Sequence, residues 1–144
     1  MAIVPAFKDA QLQRICDVLG NGLTGSEIGS ILTALGTDDP NPTMTKRHRL
    51  FQALNDRQQN DKCGNLVAAF ICRAMDPVSY TSNQEHFEHL RHELNKVLAF
   101  CGYMLREDGK LSQKSAVSTL SEAEERAGRL RAEVLETIRK PGCG

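Results

Sequence analysis

Net charge is what this sequence lacks first: 18 lysines and arginines stand against 18 aspartates and glutamates. No global field draws such a chain to nucleic acid or to an anionic membrane, so any binding of that kind has to come from a local patch. Long apolar runs are missing as well. No stretch approaches the roughly 18 apolar residues that span a bilayer, and the opening MAIVPAFKDA has neither the basic start nor the apolar run of a secretory leader. A cytoplasmic location with no membrane contact is the expectation. The five cysteines are odd in number and scattered, with no C-x-x-C pair, which favours free thiols in a reducing compartment over a disulfide framework. There is no G-x-S-x-G elbow, no H-E-x-x-H, no Walker A loop and no G-x-G-x-x-G following a strand. With no complete catalytic set, the chain is expected not to be an enzyme and to need no cofactor.

What is present is a well-patterned helical sequence. Its 144 residues, 40% hydrophobic and 25% charged, suit a single soluble domain with a sizeable core. Asp9 is placed to cap a first helix whose face is Leu12, Ile15, Cys16 and Leu19, closed by the GNG at 20–22. Thr24 and Glu27 have the spacing of a capping box for a second helix with Ile28, Ile31, Leu32 and Leu35, ended by Gly36. After the loop TDDPNPT, a third helix starts at Thr43 or Thr45 and buries Leu50, Phe51 and Leu54, until the polar NDRQQNDKCGN breaks the pattern. A fourth, at about 63–75, carries Leu66, Val67, Phe70, Ile71 and Ala74. SNQE at 82–85 has capping-box spacing and opens a longer helix with Phe87, Leu90, Leu94, Val97, Leu98 and Cys101 inside. Asp108-Gly109 signals a type I′ hairpin near residues 103–113, and a last helix over 119–140 follows. The fold class predicted is all-α, mainly helical, a compact bundle of about six helices with one short β-hairpin.

Three groups of residues are candidate sites. Lys46, Arg47, His48 and Arg49 crowd the start of the third helix, where the helix dipole makes positive charge mildly unfavourable. At about 100° per residue, Arg47 falls on the side of Leu50 and Leu54 and is expected to pair with Asp38 or Asp39. Lys46, His48 and Arg49 are then left for solvent, nucleic acid or a protein partner. His86, His89 and His92 invite a metal site, but three-residue steps walk them round the helix by roughly 60° each, away from a common ion. Finally, Leu120, Ala123, Ala127, Leu130 and Val134 run at alternating steps of three and four, a face for association with another helix, within the domain or across a dimer.

Two stretches, GLTGSEIGSILTALG leading into TKRHRLFQAL and HFEHLRHELNKVLAFCGYMLREDGKL leading into TLSEAEERAGRLR, resemble the N-terminal helical region of bacterial proteins that can carry a C-terminal Ymh-type domain, itself grouped with the HEPN superfamily. The resemblance spans most of residues 9 to 135. It implies an accessory or sensing module beside an effector, of the kind found in phage defence. The chain reaches IRKPGCG where the Ymh-type domain would begin, and no arginine is followed by a histidine at the HEPN ribonuclease spacing, so no ribonuclease activity is implied. The expected function is a non-catalytic helical protein-interaction, adaptor or sensing module of a bacterial or phage protein. The alternative is a nucleic-acid-binding regulator that uses Lys46, His48 and Arg49.

Overall fold

Apolar residues recurring every three to four positions build helices here, and their caps and glycines set where each helix stops. The computed structural model describes residues 3–40 and 43–128. It divides into two compact units, Met1–Asp76 and Pro77–Gly144. The first contains α1 (Asp9–Gly22), α2 (Gly25–Ala34), α3 (Lys46–Asp61) and α4 (Asn65–Ala74). The second contains a 3-10 turn (Pro77–Tyr80), α5 (Gln84–Cys101), strands β1 (Tyr103–Leu105) and β2 (Leu111–Gln113), and a helix we call α6, described over 120–128. A mainly-α protein with one short hairpin is thus what the sequence folds into.

In the first unit α1 lies against α3, and α2 and α4 complete the cluster. Leu12, Ile15, Leu19, Ile28, Leu32, Leu50, Leu54, Phe70 and Ile71 are all shut off from solvent. Thr24 caps α2 with the expected reciprocal box: its hydroxyl accepts from Glu27 N–H, and the Glu27 carboxylate accepts from Thr24 N–H. Gly36, at φ 68°, closes α2 with Thr37 N–H bonded back to Leu32 O, a Schellman ending that needs a left-handed residue.

One helix runs further than its sequence pattern implies, and one ends where expected. GNG closes α1 as expected, but only at its last residue, Gly22. A Cβ on Gly20 would lie 3.2 Å from the Arg47 backbone nitrogen, so this glycine serves the close approach of α3. NDRQQND, by contrast, does not break α3, which continues to Asp61 and ends on Lys62 in the left-handed conformation. No proline or glycine interrupts it before Gly64. The place of an inward apolar residue is taken by Gln58, 3% exposed, whose amide oxygen and nitrogen are each hydrogen-bonded.

The second unit packs Tyr80 against the edge of Phe87 and buries Leu90, Leu94, Leu98, Ala99 and Leu105. The cap of α5 is Asn83, not Ser82: the Asn83 side chain accepts from His86 N–H, and SNQE is not used as a box. Gly102, at φ 82°, ends α5 and turns the chain into β1. The strands are antiparallel, with Tyr103 opposite Gln113, Met104 opposite Ser112 and Leu105 opposite Leu111. Their turn differs from the type I′ expected. That turn needs positive φ at both central residues, but only Gly109 has it; Gly109 N–H donates to Arg106 O and Arg106 N–H to Lys110 O, a type I turn with a glycine bulge. Asp108 contributes by accepting from Lys110 N–H through its side chain.

Candidate functional site

The basic start of α3 is consumed locally. Lys46 donates from Nζ to Leu23 O at 2.9 Å, tying the start of α3 to the end of α1. Arg47 faces Asp17 of α1 at 3.7 Å, and His48 Nδ1 sits 2.8 Å from the Thr45 hydroxyl. Arg49 goes furthest inward. Its Nε donates to Asp39 Oδ1 at 2.8 Å, a second nitrogen pairs with Asp39 Oδ2, and the third donates to Gly25 O at 3.1 Å. The fork-to-carboxylate geometry is the strong form of this contact, and the guanidinium beside it holds the Asp39 carboxyl below its usual range.

The roles expected of Arg47 and Arg49 are therefore exchanged. Arg49, read as a free cation for a ligand, is buried and is the partner of Asp39; Arg47, read as that partner, is mostly exposed. The buried arc of α3 runs through Arg49, Leu50, Ala53, Leu54 and Gln58. Counting Ala53 as inward widens the arc on the side of Arg49 and takes it in, while Gln58 falls between Leu54 and Phe51. Arg47, the second residue of α3, passes its backbone close to Gly20 of α1 and carries its side chain outward to Asp17. Room for Arg49 comes from α2: a Cβ on Gly29 would stand 2.9 Å from its guanidinium and one on Gly25 3.4 Å away. With Ser26, Ser30, Thr33 and Ala34, these residues line a shallow groove that has Arg49 at its side.

A second polar cluster lies in the other unit and carries no signal in helical periodicity. Glu88, Arg91 and Asn95 are buried on α5. Arg91 donates to Glu88 at 3.2 Å and to Leu105 O at 3.0 Å; Asn95 donates to the same oxygen and accepts from Leu105 N–H at 2.7 Å. Both backbone groups of Leu105 are bound, which fixes the hairpin to the helix in one register.

A third site was likewise invisible in the apolar pattern. Residues 3–8 run extended across the end of α3 and the start of α4. Gln58 accepts from Phe7 N–H at 3.0 Å and donates to Phe7 O at 2.9 Å; Asn65 accepts from Val4 N–H at 2.7 Å, and Gly64 N–H donates to Val4 O at 2.7 Å. Phe7 is buried there. Glycine is required at 64, since a Cβ would meet Pro5 O at 2.6 Å and the Phe7 ring at 3.0 Å.

The three histidines are not brought together. His86 packs on the Tyr80 ring, His89 is exposed, and His92 is half-buried with Nδ1 lacking a hydrogen-bond partner. Among the described residues no group of three or more His, Cys, Asp or Glu side chains could hold a metal ion. Of the expected association face, Ala123 and Ala127 are buried, Ala123 in a cluster with Ala99 and Val117, so these two alanines belong to the unit's own core. Leu120 stands 78% exposed at the helix start, while Leu130 and Val134 lie outside the described residues. Cys16, buried and beside Asp17, has its thiol pushed up to about 12, so it is a protonated core residue at neutral pH.

No family model, curated protein or solved structure matches the chain. No helix among the described residues is long and apolar enough to cross a membrane.

Proposed function

We propose that this chain is a non-catalytic, helical protein-interaction module, an adaptor or sensing unit. The resemblance to the N-terminal region of Ymh-domain proteins further suggests a bacterial or phage setting beside a defence effector. The observation that carries the reading is the fate of the basic stretch. Lys46, Arg47, His48 and Arg49 each engage a partner within their own unit, so a phosphate backbone would have to compete with contacts already made. Three further ionisable groups are tied into the fold in the same way. Arg91 and Glu88 hold each other and the hairpin, and the Cys16 thiol is kept protonated.

The alternative, a nucleic-acid-binding regulator, draws on the exposure that Lys46, Arg47 and His48 retain. Fluorescence anisotropy of labelled duplex DNA and RNA, at low and moderate salt, separates the two. The protein-interaction reading expects no binding by the protein or by a variant with Lys46, Arg47 and His48 changed to alanine. Salt-sensitive binding that disappears in the variant would establish the regulator instead.

A further inference from the structure

The hairpin has one closed edge and one open edge. Arg106 N–H donates to Lys110 O and Lys114 N–H to Gly102 O, and Met104 stands opposite Ser112. The antiparallel alternation therefore turns the main-chain groups of the even-numbered residues into the ladder and those of Leu105, Leu111 and Gln113 outward. On the β1 side α5 meets them: Asn95 and Arg91 hold both groups of Leu105. On the β2 side, among the described residues, nothing bonds to the N–H or C=O of Leu111 or Gln113, and α5 packs on β1 rather than on β2. Between these two residues Ser112 has its hydroxyl shut off from solvent and without a partner. Exposed Lys110 and Lys114 flank the strand on the face that Ser112 shares. Asp108, the acid closest to Lys110 in sequence, pairs with Arg106, and among the described residues neither ammonium has an ion-pair partner.

We propose that the outer edge of β2 is the docking site for an extended acidic segment of a protein partner, which adds to the hairpin as an antiparallel third strand. Guest residues opposite Leu111 and Gln113 exchange both main-chain hydrogen bonds with them. Guest residues opposite Lys110, Ser112 and Lys114 fall at alternate positions on one face, so the segment recognised reads acidic-x-hydroxyl-x-acidic. Its hydroxyl meets Ser112 at a non-hydrogen-bonded position, where side chains of neighbouring strands come closest, and a turn about χ1 gives the Ser112 oxygen its partner. The two lysines also decide what the edge refuses. Antiparallel pairing of β2 with a second copy, centred on Ser112, sets Lys110 of each copy against Lys114 of the other, and like charges directly opposite are destabilising. An acidic strand turns the same two positions into attractions. The proposal rests on the protein-interaction reading and names the chemistry of one partner segment.

The test titrates the isotope-labelled full chain with the blocked peptide Glu-Val-Thr-Val-Glu, flanked by threonines, and follows amide shifts and amide hydrogen exchange by NMR. Docking predicts shifts centred on β2 and slower exchange at Leu111 and Gln113, with little change at Ser112, whose main-chain groups already belong to the ladder. N-methylation of both valines removes two of the main-chain bonds and should weaken binding by roughly tenfold or more. The exposed double substitution Lys110→Glu with Lys114→Glu should weaken it on the order of tenfold, with the amide spectrum away from the hairpin unchanged. No response at Leu111 and Gln113 up to about 1 mM peptide, or equal binding by the N-methylated peptide or by the charge-reversed chain, would overturn the proposal. The broader reading is judged by nucleic-acid binding, which this peptide does not report, so the two fail separately.

Discussion

Replacing Gln58 with alanine should be among the most damaging single changes at a polar position of the first unit. The side chain is 3% exposed and makes two hydrogen bonds, both to the backbone of Phe7. If the N-terminal segment stays seated, Phe7 N–H and C=O lose their partners, at about 1–3 kcal/mol each. If it lifts off to reach water, the unit instead loses the burial of the Phe7 ring, worth about 1.5–3 kcal/mol, together with the Val4 contacts at roughly 1 kcal/mol each. The cheaper route sets the result, and the two ranges, about 2–6 and about 3.5–5 kcal/mol, overlap at about 4 kcal/mol. Urea denaturation of Gln58→Ala measures it, with the exposed neighbour as control: Gln59→Ala should stay within about 0.5 kcal/mol of the parent. A double-mutant cycle with Phe7→Ala should be strongly non-additive, because either change unseats the same segment. Equal stability of the Gln58 and Gln59 variants would refute the role given to this amide.

Further predictions concern the other two polar clusters. Asp39 has its carboxyl lowered in the folded state by the Arg49 hydrogen bonds. Its contribution to stability is therefore present above the unfolded value of about 3.9 and is lost as pH falls through the lower folded value. Asp39→Asn should flatten that acid limb in pH-dependent denaturation, and an unchanged limb would show the pair to be inert. Asn95→Leu leaves Leu105 N–H without its partner and should cost about 1–3 kcal/mol. Amide exchange of the hairpin should accelerate with it; unchanged protection at Leu105 would count against the clamp.

The apolar stripes made most of the fold legible. The apolar faces named for α1 and α4 are buried throughout; in α2 and α5 Ile28, Leu32, Phe87, Leu90, Leu94 and Leu98 are buried while Ile31, Leu35, Val97 and Cys101 are half-buried, and Thr24 with Glu27 forms the box that their spacing announces. What escaped was polar burial. Gln58, Glu88, Arg91 and Asn95 occupy inward positions that a hydrophobic pattern counts as surface; Gln58, Arg91 and Asn95 bond to backbone groups of other segments, and Glu88 to Arg91. Arg49 was misplaced for the same reason: a wheel drawn on Leu50, Phe51 and Leu54 omits Ala53, and with it the side of the buried arc on which Arg49 lies. Gly25 and Gly29, which admit its guanidinium, read in sequence as a helix boundary. The turn of the hairpin was mistyped because Asp-Gly fits both a type I′ turn and a type I turn with a glycine bulge, and only backbone torsions tell them apart.

The most direct measurement is capture of partners by the immobilised full chain from the cells that make it, with and without nuclease treatment, followed by mass spectrometry and by binding of each recovered protein in purified form. A protein-interaction module predicts a partner whose recovery is indifferent to nuclease and which binds the purified chain alone. Recovery that collapses on nuclease treatment, with no purified protein binding directly, would contradict it and return the basic start of α3 to nucleic acid.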